Sequence, residues 1–155
     1  MLHTCVLLAL LPRDKSLPAA KIAEYHRLPA AQTAKQLQTL SGAGVLRSSR
    51  GRSGGGYQLA RPADKITVLD VVDAIEGREP MFRCTDLRHR GPCAAAATGH
   101  DTSSCAVTQT MRRAEAAWRD ELAASTIADL VVGTLEQALP EVVSSSVVWL
   151  QKTMQ

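Results

Sequence analysis

A glycine-rich stretch that carries two arginines, residues 50–56, constrains the fold of this 155-residue chain more than any other segment. Four of its seven residues are glycine, so it does not fit the interior of a helix or strand and is typical of a hairpin tip. Residues 45–50 and 57–60 on either side fit short strands, and we predict a β-hairpin. A phosphate-binding glycine loop is the alternative, but no Gly-Lys-Ser/Thr sequence follows and no helix begins there.

The rest of the chain favours helices. Aromatic residues make up only 3% of the sequence against 45% hydrophobic residues, which argues against an all-β sandwich or barrel. We predict a mainly α fold with a small β-hairpin. Proline, glycine and capping signals bound the predicted helices, which are Leu2–Leu11, Ala19–Tyr25, Pro29–Ser41, Val68–Glu76 with a Thr67/Asp70 capping box, Ala106–Ala124 and Ile127–Leu139.

Charge is divided unevenly along the sequence. Residues 1–62 hold nine Lys and Arg against two acidic residues, a net charge of +7, whereas residues 63–155 hold nine against thirteen, a net charge of −4. A basic block of this kind is typical of proteins that bind nucleic acids. The sequence has no apolar run of about 18 residues, so we predict no membrane span and a cytoplasmic location.

The two helices at 19–25 and 29–41 are separated by a short turn, which predicts a helix-turn-helix, and the hairpin that follows them predicts a wing. Polar side chains of the second helix can reach base edges, and arginines of a wing tip can enter a minor groove. Other basic side chains contact phosphates or only solvent. The candidate DNA contacts are Gln32, Thr33, Lys35 and Gln36 for bases, Arg50 and Arg52 for the wing, and Arg47 and Lys21 for phosphates.

Three of the four cysteines lie in or beside a loop without periodicity, residues 78–104. Soft thiolates select iron–sulfur clusters or zinc, and a helix N-terminus stabilises a thiolate. We therefore rank Cys105 first as a metal ligand, followed by Cys93 and Cys84, with free thiols as the alternative. Zinc held with His89 and His100 ranks below iron–sulfur because no CxxC spacing occurs. The fourth, Cys5, lies in an apolar helix and is predicted to be buried.

Residues 50–62 (RGRSGGGYQLARP), residues 66–72 (ITVLDVV) and residues 126–130 (TIADL) resemble the signature of the IscR/NsrR-type, or Rrf2-type, winged helix-turn-helix regulators. The resemblance covers nearly the whole chain. It implies a homodimeric bacterial transcription factor, most often a repressor, that binds a palindromic operator in double-stranded DNA. It also implies sensing of redox state or nitric oxide through an iron–sulfur cluster.

The resemblance is nearest to the redox-sensing branch with a 2Fe–2S cluster. It places His3 at a ligand position, with two loop cysteines supplied by the partner subunit. The glutamate ligand of that branch would precede Met1, so we expect this chain to lack the start of its first helix and to be impaired in holding a cluster. The wide spacing of Cys84, Cys93 and Cys105 favours this branch, or a cluster-free member, over the 4Fe–4S and 2Fe–2S members of the family whose three loop cysteines lie closer together.

Together these features predict four segments. They are a winged helix-turn-helix domain (1–62), a connecting helix (63–77), a cysteine-bearing sensor loop (78–105), and dimerisation and C-terminal helices (106–155). Met111, Ala114, Trp118 and Leu122 recur at helical spacing and are predicted to pack in the core or in a dimer. The predicted function is a DNA-binding regulator and not an enzyme. A cluster-free regulator acting through thiols or a partner protein is the alternative, and a thiol-dependent enzyme using Cys105 and His100 is a remote one.

Overall fold

The computed structural model describes residues 1–49, 55–85, 91–92 and 105–154. Over these residues the chain is mostly helical and carries one two-stranded antiparallel sheet, which confirms the predicted fold class. No helix in these ranges has both the length and the apolar character needed to cross a membrane. The elements are α1 (Leu2–Ala9), α2 (Ala19–His26), α3 (Ala30–Gly42), β1 (Leu46–Ser49), β2 (Gly56–Leu59), a 3-10 turn (Ala63–Lys65), α4 (Val68–Glu76), α5 (Ala106–Ala124), α6 (Ile127–Gln137) and α7 (Pro140–Thr153).

The chain forms two compact units that cut across the four predicted segments. Residues 1–77 and 123–155 make up the first unit, and residues 78–122 the second. The C-terminal helices α6 and α7 therefore belong with the predicted DNA-binding region. The reason is apolar burial, because Ile127 of α6 and Leu150 of α7 are part of the same core as the N-terminal helices.

The core of the first unit consists of aliphatic side chains from all of its helices and from β1. Burying each such side chain stabilises the folded state by roughly 1.5–3 kcal/mol relative to leaving it exposed. The inward positions predicted on α3, Leu37 and Leu40, are both fully buried. Representative core residues from the other elements are Leu7, Ile22, Leu46, Val71, Ile127 and Leu150.

Helices α2 and α3 pack against each other and are joined by the short turn that the sequence predicts. Arg27 ends α2 in the left-handed conformation with φ 51°, and the amide of Leu28 donates to the carbonyl of Ala23 at 2.9 Å. Pro29 precedes the first residue of α3 and begins that helix with a fixed φ. This tight connection sets α3 as the second helix of a helix-turn-helix.

The hairpin gains a third segment that the sequence did not predict. Its strands pair with Leu46 opposite Leu59 and Ser49 opposite Gly56. On the free side of β2, the amide of Leu17 donates to the carbonyl of Tyr57 at 3.0 Å, and the amide of Tyr57 donates back to Leu17 at 2.9 Å. Gly56 lies so close to Leu17 that a Cβ atom would meet its carbonyl carbon at 2.6 Å.

Two helices begin with the same device and are joined through it. Thr67 and Asp70 form a complete capping box at the start of α4, as predicted, and Thr126 and Asp129 form a second at the start of α6. The two N-cap threonines face each other in an antiparallel β-bridge. Its hydrogen bonds run from the amide of Val68 to the carbonyl of Ser125 at 2.8 Å and from the amide of Ile127 to the carbonyl of Ile66 at 2.9 Å.

The C-terminal part differs from the prediction at one proline. We predicted that Pro140 stops a helix running to Leu139, but α6 already ends at Gln137 and Pro140 occupies the first turn of a new helix, α7. Proline fits there because the first-turn amide of a helix has no partner within the helix. Helix α7 is held to α2 by the Tyr25 hydroxyl, which donates to Ser146 Oγ at 2.8 Å, and by the Tyr25–Trp149 ring contact.

Replacing Gly56 by alanine is expected to destabilise the first unit by about 1–3 kcal/mol, because the new methyl group meets rigid backbone of Leu17. Gly133→Ala in α6 is the matched control, since a Cβ there meets nothing within 4 Å and alanine favours helices. The free energy of unfolding from urea titration measures both. Equal stability of the two variants would contradict the close contact.

Candidate functional site

The exposed face of α3 carries the polar side chains that the sequence assigned to base contacts. Burial of Leu37 and Leu40 fixes the rotation of this helix against the core. Gln32 and Lys35 are consequently exposed, together with Gln38, while Gln36 is half-buried. Their amide and ammonium groups can donate to base edges in a major groove, so this face has the chemistry of a recognition surface.

Thr33 does not belong to that face. Its side chain is 1% exposed, and its Oγ1 donates to the carbonyl of Pro29 at 3.0 Å. A side chain with this burial packs in the core and cannot reach a base. The prediction that Thr33 contacts a base is therefore wrong. The helical period explains the difference, because positions 33, 37 and 40 lie on one side of a helix.

The hairpin places one of the predicted phosphate contacts at the surface. Arg47 is exposed on β1 opposite Gln58 of β2. Arg50 and Arg52, the predicted wing contacts, lie outside the described residues. In the sequence, β1 and β2 follow directly after α2 and α3, which is the order of elements in a winged helix-turn-helix.

Lys21 has a partner within its own helix. Its Nζ lies 2.7 Å from Glu24 Oε2, and this hydrogen bond holds the pKa of the Glu24 carboxyl below its usual value. Both side chains are about half exposed, so solvent and salt screen the pair. A phosphate near Lys21 would compete with Glu24, which makes Lys21 a weaker candidate than Arg47.

The cysteines occupy three different environments. Cys5 is fully buried in α1, as predicted, and burial raises the pKa of its thiol to about 12. Cys84 is exposed and Cys105 is partly exposed just before α5, both in the second unit. Cys93 lies outside the described residues, as do His89 and His100. His3 is exposed in the first unit.

Cys84, Cys105 and His3 are the described residues that the sequence assigns to an iron–sulfur cluster. Thiolates and imidazole are the donor types that such clusters accept. Within the described part of the chain, however, no three His, Cys, Asp or Glu side chains lie close enough to hold a metal ion. Cys84 and Cys105 therefore match the cluster in chemistry, but the described residues of one chain do not assemble its ligand set.

The helix-turn-helix of α2 and α3, the basic hairpin that follows it and the long helix α5 together define a winged helix-turn-helix protein. The sequence profile of the Rrf2 family, described as iron-dependent transcriptional regulators, matches residues 1–133. The chain belongs to this family, as the resemblance predicted. The family description is of transcriptional regulators and not of enzymes.

Sequence relatives agree with the family. A protein of Aquifex aeolicus, whose name describes an HTH-type transcriptional regulator, is 32% identical over 80 residues, which cover 52% of this chain and 55% of that protein. A protein of Mycobacterium tuberculosis with the same kind of name is 36% identical over 100 residues, which cover 63% of this chain and 52% of that protein. The matched segment thus spans about half the length of these curated relatives.

Solved structures agree on the fold. The chain superposes on CymR, the global cysteine regulator of B. subtilis, with a TM-score of 0.61 at 20% identity, covering 86% of this chain and 92% of that one. T. potens IscR gives a TM-score of 0.62 at 19% identity, with 88% and 84% covered. Staphylococcus aureus CymR gives 0.57 at 28% identity, with 84% and 90% covered.

The environments of the cysteines predict their order of reaction. At pH 8, iodoacetamide is expected to modify Cys84 quickly and Cys5 very slowly, because a thiol with a pKa of about 12 is ionised in only about one molecule in ten thousand. Peptide mass spectrometry of a time course measures both rates. In urea the two rates should converge, and equal rates in the folded protein would contradict the burial of Cys5.

Proposed function

We propose that this chain is a transcriptional regulator that binds double-stranded DNA at palindromic operators. The observation that carries the proposal is the exposed polar face of α3 beside the basic hairpin. Family membership supports it. The charge distribution supports it as well, because residues 1–62, which include the helix-turn-helix and the hairpin, carry a net charge of +7.

Each element has a separate part in this proposal. Gln32, Lys35 and Gln36 contact base edges from the major groove. Arg47 contacts a phosphate and fixes the register of the protein on the duplex. Arg50 and Arg52, at the predicted wing tip, read the width of the neighbouring minor groove.

Lys35→Gln is expected to lower affinity for a selected operator duplex about tenfold, because one charge-assisted contact to a base edge is lost. A duplex enriched from a random library serves as the probe, and fluorescence anisotropy at several salt concentrations measures Kd. The wild-type affinity should fall steeply with salt. Lys152→Gln is the matched control, because it removes the same charge from an exposed position on α7. Equal affinities of the two variants would remove α3 from the DNA interface.

We also propose that the protein is a homodimer joined through α5. The apolar residues of this helix, Val107, Met111, Ala114 and Trp118, recur at intervals of four, three and four residues. Val107 is 62%, Met111 41% and Trp118 38% exposed in the single chain. Such spacing is the seam of a helix pair, and a second copy of α5 would remove these side chains from water. Val107 was not among the residues that the sequence singled out.

Met111→Glu combined with Trp118→Glu is expected to shift the dimer to monomer, because burying unpaired carboxylates in an apolar seam is unfavourable. Ala116→Glu places a carboxylate on the opposite side of α5 and should leave the dimer intact. Sedimentation velocity at matched concentrations measures the association state. A wild-type monomer, or a dimer in the double variant, would contradict this interface.

We further propose that iron–sulfur sensing involves Cys84, Cys93 and Cys105, with His3 from the partner subunit. The family description as iron-dependent regulators supports the use of iron. A bound cluster would supply a group whose redox state can change. The partial exposure of Cys105 and the exposure of Cys84 equally favour a second candidate, a regulator that responds through its thiols.

Iron content separates these two candidates. Iron–sulfur sensing requires that, after anaerobic incubation with ferrous iron and sulfide, wild-type protein binds iron and absorbs visible light, and that Cys93→Ser with Cys105→Ser abolishes both. Cys5→Ala, which changes a buried thiol outside the proposed ligand set, is the control. Iron content that is negligible in wild-type protein would favour the thiol-responsive regulator.

A further inference from the structure

A pocket of about 460 Å³ opens beside the hairpin within the unit formed by residues 1–77 and 123–155. Its walls come from the end of α1 and the loop after it, from the strands and end of the hairpin, and from Ala128 in the first turn of α6. We name it the hairpin pocket. The residues that matter for its chemistry are Leu8, Leu11, Arg13, Lys15, Arg47 and Gln58.

One side of the hairpin pocket is apolar. Leu8 is 3% exposed and Leu11 9%, so both belong to the hydrophobic core that continues beneath the pocket. Half-buried Leu59 and Ala60 of the hairpin line it as well. Because Leu8 and Leu11 are already buried, a compact apolar group of a ligand would cover mainly the exposed parts of Leu59 and Ala60.

The other side is strongly basic. Arg13, Lys15, Arg47 and Arg61 line the pocket, against a single acidic residue, Asp64. Two of these charges already have partners, since Arg61 lies 3.1 Å from Asp70 and Asp64 lies 3.3 Å from Lys65. Among the described residues, no carboxylate pairs with the other three cations.

Arg47 is held in place by the strand opposite. With its amide nitrogen toward the loop after α1, Gln58 donates to the carbonyls of Arg13 at 3.1 Å and Lys15 at 2.9 Å. Its amide oxygen then accepts from Arg47 Nε at 2.7 Å and Nη2 at 3.0 Å. Within the described part of the chain these bonds hold the guanidinium through Nε and Nη2, and a guanidinium fixed in this way binds anions with little loss of side-chain entropy.

We propose that the hairpin pocket binds a small organic anion, a carboxylate or phosphate ester with a compact apolar group. Its volume falls in the range of small-molecule sites, about 300–1,000 Å³. Arg13, Lys15 and Arg47 bind the anionic group of the ligand, and the apolar side of the pocket contacts its apolar group. A phosphate of the DNA backbone has the charge but offers nothing apolar to Leu59 and Ala60, so a free small molecule fits the pocket better. Such a molecule would compete with DNA for Arg47, which the proposed function places at a DNA phosphate.

Phenyl phosphate is a suitable probe, with inorganic phosphate and phenol as its separate halves. Isothermal titration calorimetry without DNA is expected to show saturable binding of phenyl phosphate, at least tenfold tighter than either half. Arg13→Gln combined with Lys15→Gln should weaken it at least tenfold. Lys35→Gln, which removes a charge from α3 outside the pocket, should leave it unchanged.

Three results would overturn the proposal. The first is no saturable binding of phenyl phosphate, and the second is equal loss in the Lys35→Gln variant. The third is inorganic phosphate binding as tightly as phenyl phosphate while duplex DNA displaces both, which would identify a contact for the DNA backbone. The calorimetric titration contains no DNA. Its result can therefore be interpreted even if the protein does not bind DNA.

Discussion

The backbone bridge between Thr67 and Thr126 is the interaction on which the arrangement of the first unit depends. The first amides of a helix lack partners within the helix. Here the first amide of α4 bonds to the segment before α6, and the first amide of α6 bonds to the segment before α4. Each threonine and aspartate box satisfies two further amides. Each helix start thus provides a hydrogen-bond acceptor for the first amide of the other helix. Ile66 and Ile127 are buried beside the bridge.

This reciprocal arrangement explains why segments far apart in the sequence share one core. Apolar packing places residues 123–155 beside α1 and α2 but is not directional, so it does not by itself fix their register. The bridge adds a fixed register, and the Tyr25–Ser146 hydrogen bond adds a second fixed point on α7. The helix that carries the polar recognition face, α3, packs on α4 and is therefore connected to the C-terminal helices through the same bridge.

Local patterns predicted the elements well, and failures arose where distant segments meet. The bounds of α5 and the Thr67/Asp70 capping box follow from residues within one or two helical turns. The pairing of Leu17 with Tyr57 is a single bridge without a strand pattern of its own. Thr33 was assigned to the wrong side of α3 because its polar character outweighed its position one turn before Leu37. Pro140 was predicted to end α6 but instead begins α7, since proline is compatible with both the end of a helix and its first turn.

The candidate site was predictable in the same uneven way. Residue type and position in the helix-turn-helix and hairpin indicated Gln32, Lys35 and Arg47 as candidate DNA contacts. Amide and basic side chains at these positions can donate hydrogen bonds to base edges or phosphates. The hairpin pocket was not predictable, because Arg13, Lys15 and Gln58 come together only through the fold of the loop after α1. Basic residues directly after Pro12 were the available signal, but nothing in their spacing connects them to β2.

The contact of Leu17 with β2 has a consequence for how the protein behaves at high concentration. A two-stranded sheet normally presents open edges, and unpaired backbone groups there invite strands from other molecules. Leu17 occupies the outer side of β2 with two hydrogen bonds, and the absence of a side chain at Gly56 lets it approach. Part of this edge is therefore closed by the chain itself, which protects the hairpin from sheet-to-sheet aggregation.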